Sequence, residues 1–365
     1  MIGVFVVDDS AFVRKAIARV LAASPGIRVV GEAATGAEAL ERIPRLAPAP
    51  DLVTLDVAMP GLDGLAVLRG LHRWRPELPV LMLSAHTRAG AEATLEALAA
   101  GAADFIDKSR FGLMDLDGLG RELTDRIRAL AARNGTGIGP RRGEGRGRAP
   151  AAAEAAAAAP RPGEGLDASH CDLCVLGAST GGPAAIQHVL ERLPADFPLP
   201  MAVVQHMPPG FTRPFADRLN GRCRLRVSEA VEGDRLAPGR VLIAPAGLHL
   251  RIRSNLTVAL DVEPADARHV PSVDVLMRSA AAARPGRALG VLLTGMGDDG
   301  ADGMAAIRAG GGVTVAESES SCVVYGMPRA AWERGGVCRL LPLAELAEWL
   351  AGLRAASPEA GPARR

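Results

Sequence analysis

Aromatic side chains are scarce in this chain: 3% of its 365 residues. The formal net charge is only +1, so there are neither base-stacking platforms nor a basic footprint, and nucleic acid is not an expected partner. No run approaches the roughly 18 apolar residues of a membrane span, so direct membrane insertion is not expected either. The opening MIGVFVVDDS is too short in apolar residues, and lacks the preceding basic segment, for a secretory signal. Five cysteines are too few for a disulfide scaffold in a chain this long. Cys171 and Cys174 have CxxC spacing inside the apolar run CDLCVLG, but no second pair completes a zinc site, so they read as structural thiols. A reducing, cytoplasmic location and a monomeric state fit these absences.

What is present is a division into parts. Residues 134–169 are rich in Gly, Pro, Ala and Arg and hold almost nothing large and apolar to bury. Such a segment cannot offset the entropy of ordering and reads as a flexible linker with an r.m.s. span of roughly 30–35 Å. Residues 1–133 form one domain, 170–356 a second, and 357–365 a disordered tail.

In the first domain the apolar runs at 2–7, 27–33, 51–57, 79–85 and 104–107 alternate with helical patterns. Five strands and five helices in alternation describe a doubly wound parallel sheet, the flavodoxin-like arrangement. The second domain resumes the alternation at 172–179, 198–206, 239–246, 256–262, 288–295 and 312–317. It is a larger, mainly parallel α/β domain with some hairpin character in its middle. Sites in such sheets lie at the carboxyl ends of strands.

Asp8 and Asp9 follow the first strand and Asp56 ends the third. Strand-end Asp residues commonly cap the next helix, but three carboxylates in one pocket repel unless a cation offsets them. Mg²⁺, a hard ion with oxygen ligands, suits them. Ser84 ends the fourth strand and Lys108 the fifth, a hydroxyl and an ammonium suited to the oxygens of a phosphoryl group. On these residues the segment 2–132 resembles the response-regulator receiver family. The resemblance implies that Asp56 is phosphorylated and that Asp9, Asp56 and the Ala58 carbonyl hold Mg²⁺ with help from Asp8. It also implies that Ser84 is the switch hydroxyl, Lys108 the phosphoryl contact and Phe105 the aromatic reporter. The family's usual Lys-Pro is Lys108-Ser109 here, which puts a cis peptide there in doubt.

In the second domain VLGASTGGPAAIQHVLERL reads as strand, tight turn and helix. Ser179 sits in the turn, and Gly177, Gly181 and Gly182 allow the bend. Gly-rich turns of this kind also bind phosphates, although neither the P-loop nor GxGxxG is present. A nucleophilic serine needs a general base, and His206 closes the strand MAVVQH. His249 and His269 remain alternatives by spacing. The base needs a carboxylate, and the loop after LGVLLTG carries Asp298, Asp299 and Asp302.

The runs GASTGG, QHMPPGFT, LTGMGDDGADGM and SCVVYGMPRAA resemble the catalytic domain of the CheB family of chemotaxis protein-glutamate methylesterases. With the receiver in front, the likeness spans the chain apart from the linker. It implies Ser179 as nucleophile, His206 as base and Asp299 as its orienting acid. It also implies an oxyanion hole at the Met296 N–H, with Thr180 as helper and Asp298 outside the chemistry. The implied activity is hydrolysis of γ-glutamyl methyl esters on methyl-accepting chemotaxis receptors, with deamidation of receptor glutamines and no cofactor for either. Phosphorylation by a cognate histidine kinase would switch it on, most simply by relieving a restraint imposed by the receiver. Other serine hydrolases are disfavoured by the lack of GxSxG and HGGG. A merely phosphorylation-gated binding module would leave the Ser179 constellation without a purpose. No helix-turn-helix or basic stripe suggests a transcription factor.

Overall fold

The computed structural model describes residues 1–85, 87–108, 116–132, 166–264 and 267–354. The chain forms two compact units, 1–148 and 149–365. Of the expected linker, 134–165 lie outside the described residues, as does the tail from 355 on. Of residues 166–169, Ala168 is buried and its carbonyl accepts the Cys171 N–H at 3.0 Å, while Asp167 and Ser169 are exposed.

The first unit runs β1 (Ile2–Val7), α1 (Ala11–Ala22), β2 (Ile27–Ala33), α2 (Gly36–Arg42), β3 (Leu52–Asp56), α3 (Gly64–Trp74), β4 (Val80–Ser84), α4 (Arg88–Ala99), β5 (Asp104–Asp107) and α5 (Leu116–Ala132). Its strands lie in the order β2-β1-β3-β4-β5, all parallel. Helices cover both faces, which is why β1, β3 and β4 are buried along their whole length and read as continuous apolar runs. Ser10, Thr35, Asp63 and Thr87 each accept a first-turn N–H of the following helix, so polar residues at the strand ends start the helices. The strand order reverses around β1, and the crevice it opens is at the carboxyl ends of β1 and β3.

The second unit runs β6 (Leu173–Ala178), α6 (Gly182–Arg192), β7 (Met201–Gln205), α7 (Thr212–Asn220), β8 (Arg226–Glu229), β9 (Arg240–Ile243), β10 (His249–Ile252), β11 (Val258–Asp261), α8 (Val273–Ala283), β12 (Ala288–Leu292), α9 (Ala301–Ala309), β13 (Val313–Glu317), α10 (Met327–Glu333), β14 (Arg339–Leu341) and α11 (Leu343–Ala351). Seven parallel strands form one sheet in the order β14-β13-β12-β6-β7-β9-β8. The expected hairpin is the antiparallel pair β10-β11. Val175, Val204, Leu242, Leu276, Met277, Leu292 and Met304 belong to one core cluster beneath this sheet. Truncating one of these leucines or methionines to Ala costs about 2–5 kcal/mol. From β6 the chain adds β7, then β8 at the far edge and β9 between them, and crosses back to lay β12 on the other side of β6. This is again a reversal point, now between β6 and β12, where the loops part and a site can form.

Candidate functional site

In the first unit, strand order brings the expected residues together. Asp8 and Asp56 are wholly buried, Asp9 is exposed, and each of the three offers a carboxylate oxygen within 4.8 Å of the others. Lys108 Nζ lies 2.5 Å from Asp56 Oδ2 and 3.5 Å from Asp8 Oδ2. Burial pushes the Asp56 carboxyl up to about 6, with Lys108 opposing the shift and Asp8 adding to it. Burial raises Asp8 as well, against a hydrogen bond from the Ser10 N–H. One ammonium does not compensate three acids. Close carboxylates with excess negative charge fit a divalent cation with oxygen ligands.

Ala58 is exposed, and its N–H donates to Asp56 Oδ1 at 3.2 Å. Ser84 is buried, and its hydroxyl points into the first turn of α4. It donates to the Gly90 carbonyl (3.3 Å) and accepts from Thr94 Oγ1 (2.7 Å). Phe105 is buried in β5 beside Met82 of β4. Ser109 lies outside the described residues.

In the second unit the site grows out of three adjacent strands. Ala178 pairs with Gln205 across β6 and β7, and the His206 N–H continues that ladder to the Ala178 carbonyl (3.1 Å). Ser179 and His206 are therefore neighbours at two strand ends. Gly181, at φ +77, turns the chain into α6 in a conformation that costs glycine little. The Ser179 hydroxyl has no hydrogen-bond partner among the described residues.

His206 Nε2 meets Asp299 Oδ2 at 2.8 Å, both side chains being nine-tenths buried. Asp299 is gripped elsewhere too. Its carboxylate accepts from Ser272 Oγ (2.8 Å), the Val273 N–H (2.7 Å) and the Asp274 N–H (2.9 Å). These three donors are the cap and first turn of α8, where free amides favour negative charge. Burial pushes the Asp299 carboxyl up, but the His206 contact and these amides outweigh it and hold the group well below the usual carboxylate range.

An ionised Asp299 can only accept, so His206 Nε2 is the donor in this contact, and in the neutral ring the lone pair is then on Nδ1. Nδ1 is buried with no partner among the described residues. The basic nitrogen is thus the one that Asp299 does not touch.

The other candidates fall elsewhere. His249 is buried, and its Nδ1 accepts the Ser272 N–H (3.1 Å), which is a structural duty at the start of α8. His269 stacks on His206 with ring centroids 4.2 Å apart and planes 17° apart. Asp298 and Asp302 are tied to Arg334, and Asp302 also to Arg278, at the surface.

The backbone N–H groups of Met296 and Thr180 donate no hydrogen bond among the described residues. The Met296 loop passes close to the serine, for a Cβ on Gly295 would lie 2.9 Å from Ser179 Cβ. Next to the His–Asp pair lies a cavity of about 410 Å³, whose walls include Arg251, His269, Ser272, Asp274, Arg278 and Asp299.

Ser272, Val273 and Asp274 are not among the residues that the sequence motifs single out. A signal was available, because Pro-Ser-Val-Asp before an apolar run marks a helix start. Gln205 was missed as well. This buried amide donates from Nε2 to the carbonyls of Ser179 (2.8 Å) and His206 (3.1 Å), bracing the two strand ends.

Comparison with known proteins finds the same division. Residues 4–116 match the model of the response regulator receiver domain, and 174–350 match that of CheB methylesterase. Protein-glutamate methylesterase/protein-glutamine glutaminase 1 of Oleidesulfovibrio alaskensis is 43% identical, over 95% of this chain and 98% of that one. A protein of Archaeoglobus fulgidus with the same name, unnumbered, is 42% identical, over 94% and 96%. Among solved structures, the Thermotoga maritima CheB methylesterase catalytic domain is 39% identical with a TM-score of 0.48, over 50% of this chain and 97% of that domain. Among the described residues no helix is long and apolar enough to cross a membrane. This chain belongs to the CheB methylesterase family, hydrolases that carry a response-regulator receiver domain ahead of the catalytic one.

Proposed function

We propose that this chain hydrolyses γ-glutamyl methyl esters on methyl-accepting chemotaxis receptors, and deamidates receptor glutamines, through Ser179, His206 and Asp299. The observation that carries this reading is the His206–Asp299 contact of 2.8 Å, with the carboxylate fixed by α8, Nδ1 left without a partner among the described residues, and His206 and Ser179 at the ends of adjacent strands. The names of the full-length relatives support the substrate class.

Ser179 Oγ attacks the side-chain carbonyl while its proton passes to His206 Nδ1. Asp299 steadies the imidazolium that results. The carbonyl oxygen becomes an oxyanion facing the N–H groups of Met296 and Thr180. Collapse returns the proton to the leaving group, and methanol departs (ammonia, from a glutamine). Water then gives a proton to His206 and its hydroxyl to the acyl carbon, releasing glutamate and restoring Ser179. The cavity beside the dyad receives the receptor segment that flanks the ester. No cofactor takes part in hydrolysis.

Asp56 is the phosphorylated residue, with a histidine kinase as donor, and its phosphorylation activates the esterase. Asp8, Asp9, Asp56 and the Ala58 carbonyl would hold Mg²⁺, which supplies charge neutralisation for phosphoryl transfer. Lys108 contacts the phosphoryl oxygens, Ser84 turns from α4 toward them, and Phe105 responds. The enzyme acts as a cytoplasmic monomer.

The test is methanol release from methylated receptor membranes with and without a small-molecule phosphodonor. Release that rises with the donor supports the reading; no release under either condition contradicts it.

A further inference from the structure

Thr294, two residues past β12, is 1% exposed and has every polar group engaged. Its N–H donates to Glu317 Oε2 at 2.9 Å, and its carbonyl accepts the Ser179 N–H at 3.0 Å. Its hydroxyl donates to the Thr180 carbonyl (2.9 Å) and accepts the Val324 N–H (2.9 Å). The Val324 carbonyl accepts the Gly295 N–H at 3.1 Å, and Gly295 leads directly into Met296. Glu317 is itself wholly buried at the end of β13, and its other oxygen accepts from Ser321 Oγ. One side chain thus ties the turn that bears the nucleophile to the loop that bears the oxyanion donor. Glu317 holds the Thr294 backbone N–H from behind.

We propose that Thr294 is a positioning residue that sets the gap between Ser179 and the N–H groups awaiting the oxyanion, with Glu317 as its anchor. The proposal rests on the serine-nucleophile reading above. Oxyanion donors act only where the charge develops, and a misplacement of about 1 Å costs roughly 10²-fold in rate. Without the hydroxyl, Thr180 and Val324 lose their shared partner and the two segments can drift apart. A threonine that merely filled space would tolerate valine.

The experiment compares Thr294→Val, Thr294→Ala and Thr294→Ser in the full chain. Both variants without a hydroxyl should lose about 10²-fold in kcat with KM nearly unchanged, while Thr294→Ser stays within about fivefold of wild type. Affinity for a boronic acid that adds to Ser179 should fall in parallel with kcat/KM, a readout that loss of stability alone would not move. Thr294→Ala leaves space rather than strain, so it serves if the valine variant fails to fold. Wild-type kcat in either variant, or a kcat loss with boronate affinity intact, overturns the proposal. Labelling of wild-type Ser179 by a fluorophosphonate separates the two readings. If Ser179 is not labelled, the serine mechanism itself has failed. If it is labelled and the valine variant behaves as wild type, only the role of Thr294 has.

Discussion

Asp56 ends β3 and Asp299 follows β12, each at the carboxyl end of a central strand in an all-parallel sheet, yet their surroundings treat a negative charge in opposite ways. Asp56 is buried against Asp8 with one ammonium for relief, and its carboxyl is pushed up to about 6. Asp299 is nine-tenths buried, but a hydroxyl, two helix amides and an imidazole hold its charge in place. The sheet plan selects where a site lies. The donors around a carboxylate select its chemistry, one pocket suited to binding a cation and accepting a phosphoryl group, the other to sustaining an imidazolium.

The largest effect should come from the second pocket. Ser179→Ala and His206→Ala should each lower methanol release by about 10⁵-fold or more, and the double variant should be no worse than either alone. Phosphorylation of Asp56, tracked with a radiolabelled donor, should be unchanged in both. Asp299→Asn should cost about 10⁴-fold in kcat, since an amide cannot hold the imidazole in the required tautomer. Ser272→Ala, which removes one donor of several, should cost only about tenfold. Equal losses for Asp299→Asn and Ser272→Ala would mean that the cap, not the carboxylate charge, matters.

Asp56→Asn should abolish stimulation by phosphodonor and leave the basal rate within about twofold. It should also stabilise the receiver at pH 7 without Mg²⁺. The folded pKa of about 6 lies above the ordinary carboxyl value of 3.8, so ionisation opposes folding. That penalty is absent below about pH 4, grows between 4 and 6, and is full above 6, reaching roughly 2–3 kcal/mol at most. A rise in Tm that disappears at pH 4 is the expected signature. Protons and metal compete for the same carboxylate, so Mg²⁺ affinity should weaken as pH falls through about 6. Affinity that is flat between pH 5 and 7.5 would mean that Asp56 is not a ligand.

Much of this was legible in the sequence because buried parallel strands are unbroken apolar runs. The strands β1, β3, β4, β6, β7 and β12 stand out in that way. Asp56 is the last residue of one such run, and Ser179 and His206 each come directly after another. The strands β8, β10 and β14 were not legible. Arg226–Glu229, His249–Ile252 and Arg339–Leu341 are three or four residues long with charged members, and too short to show a period. The grip on Asp299 was hidden for a different reason. Two of its donors are backbone N–H groups, which any residue supplies, on a helix that starts 26 residues before the acid. Thr294 and Gln205 act through main-chain partners that only the fold brings near.

The division of labour between the two pockets is tested most directly by methanol release from methylated receptor under two conditions, EDTA and Mg²⁺ with a phosphodonor. The basal rate should survive EDTA unchanged, and the phosphodonor should raise it only when Mg²⁺ is present. Basal release that disappears in EDTA and returns with metal alone would contradict the account, because the charge on Asp299 would then not suffice for the chemistry assigned to it.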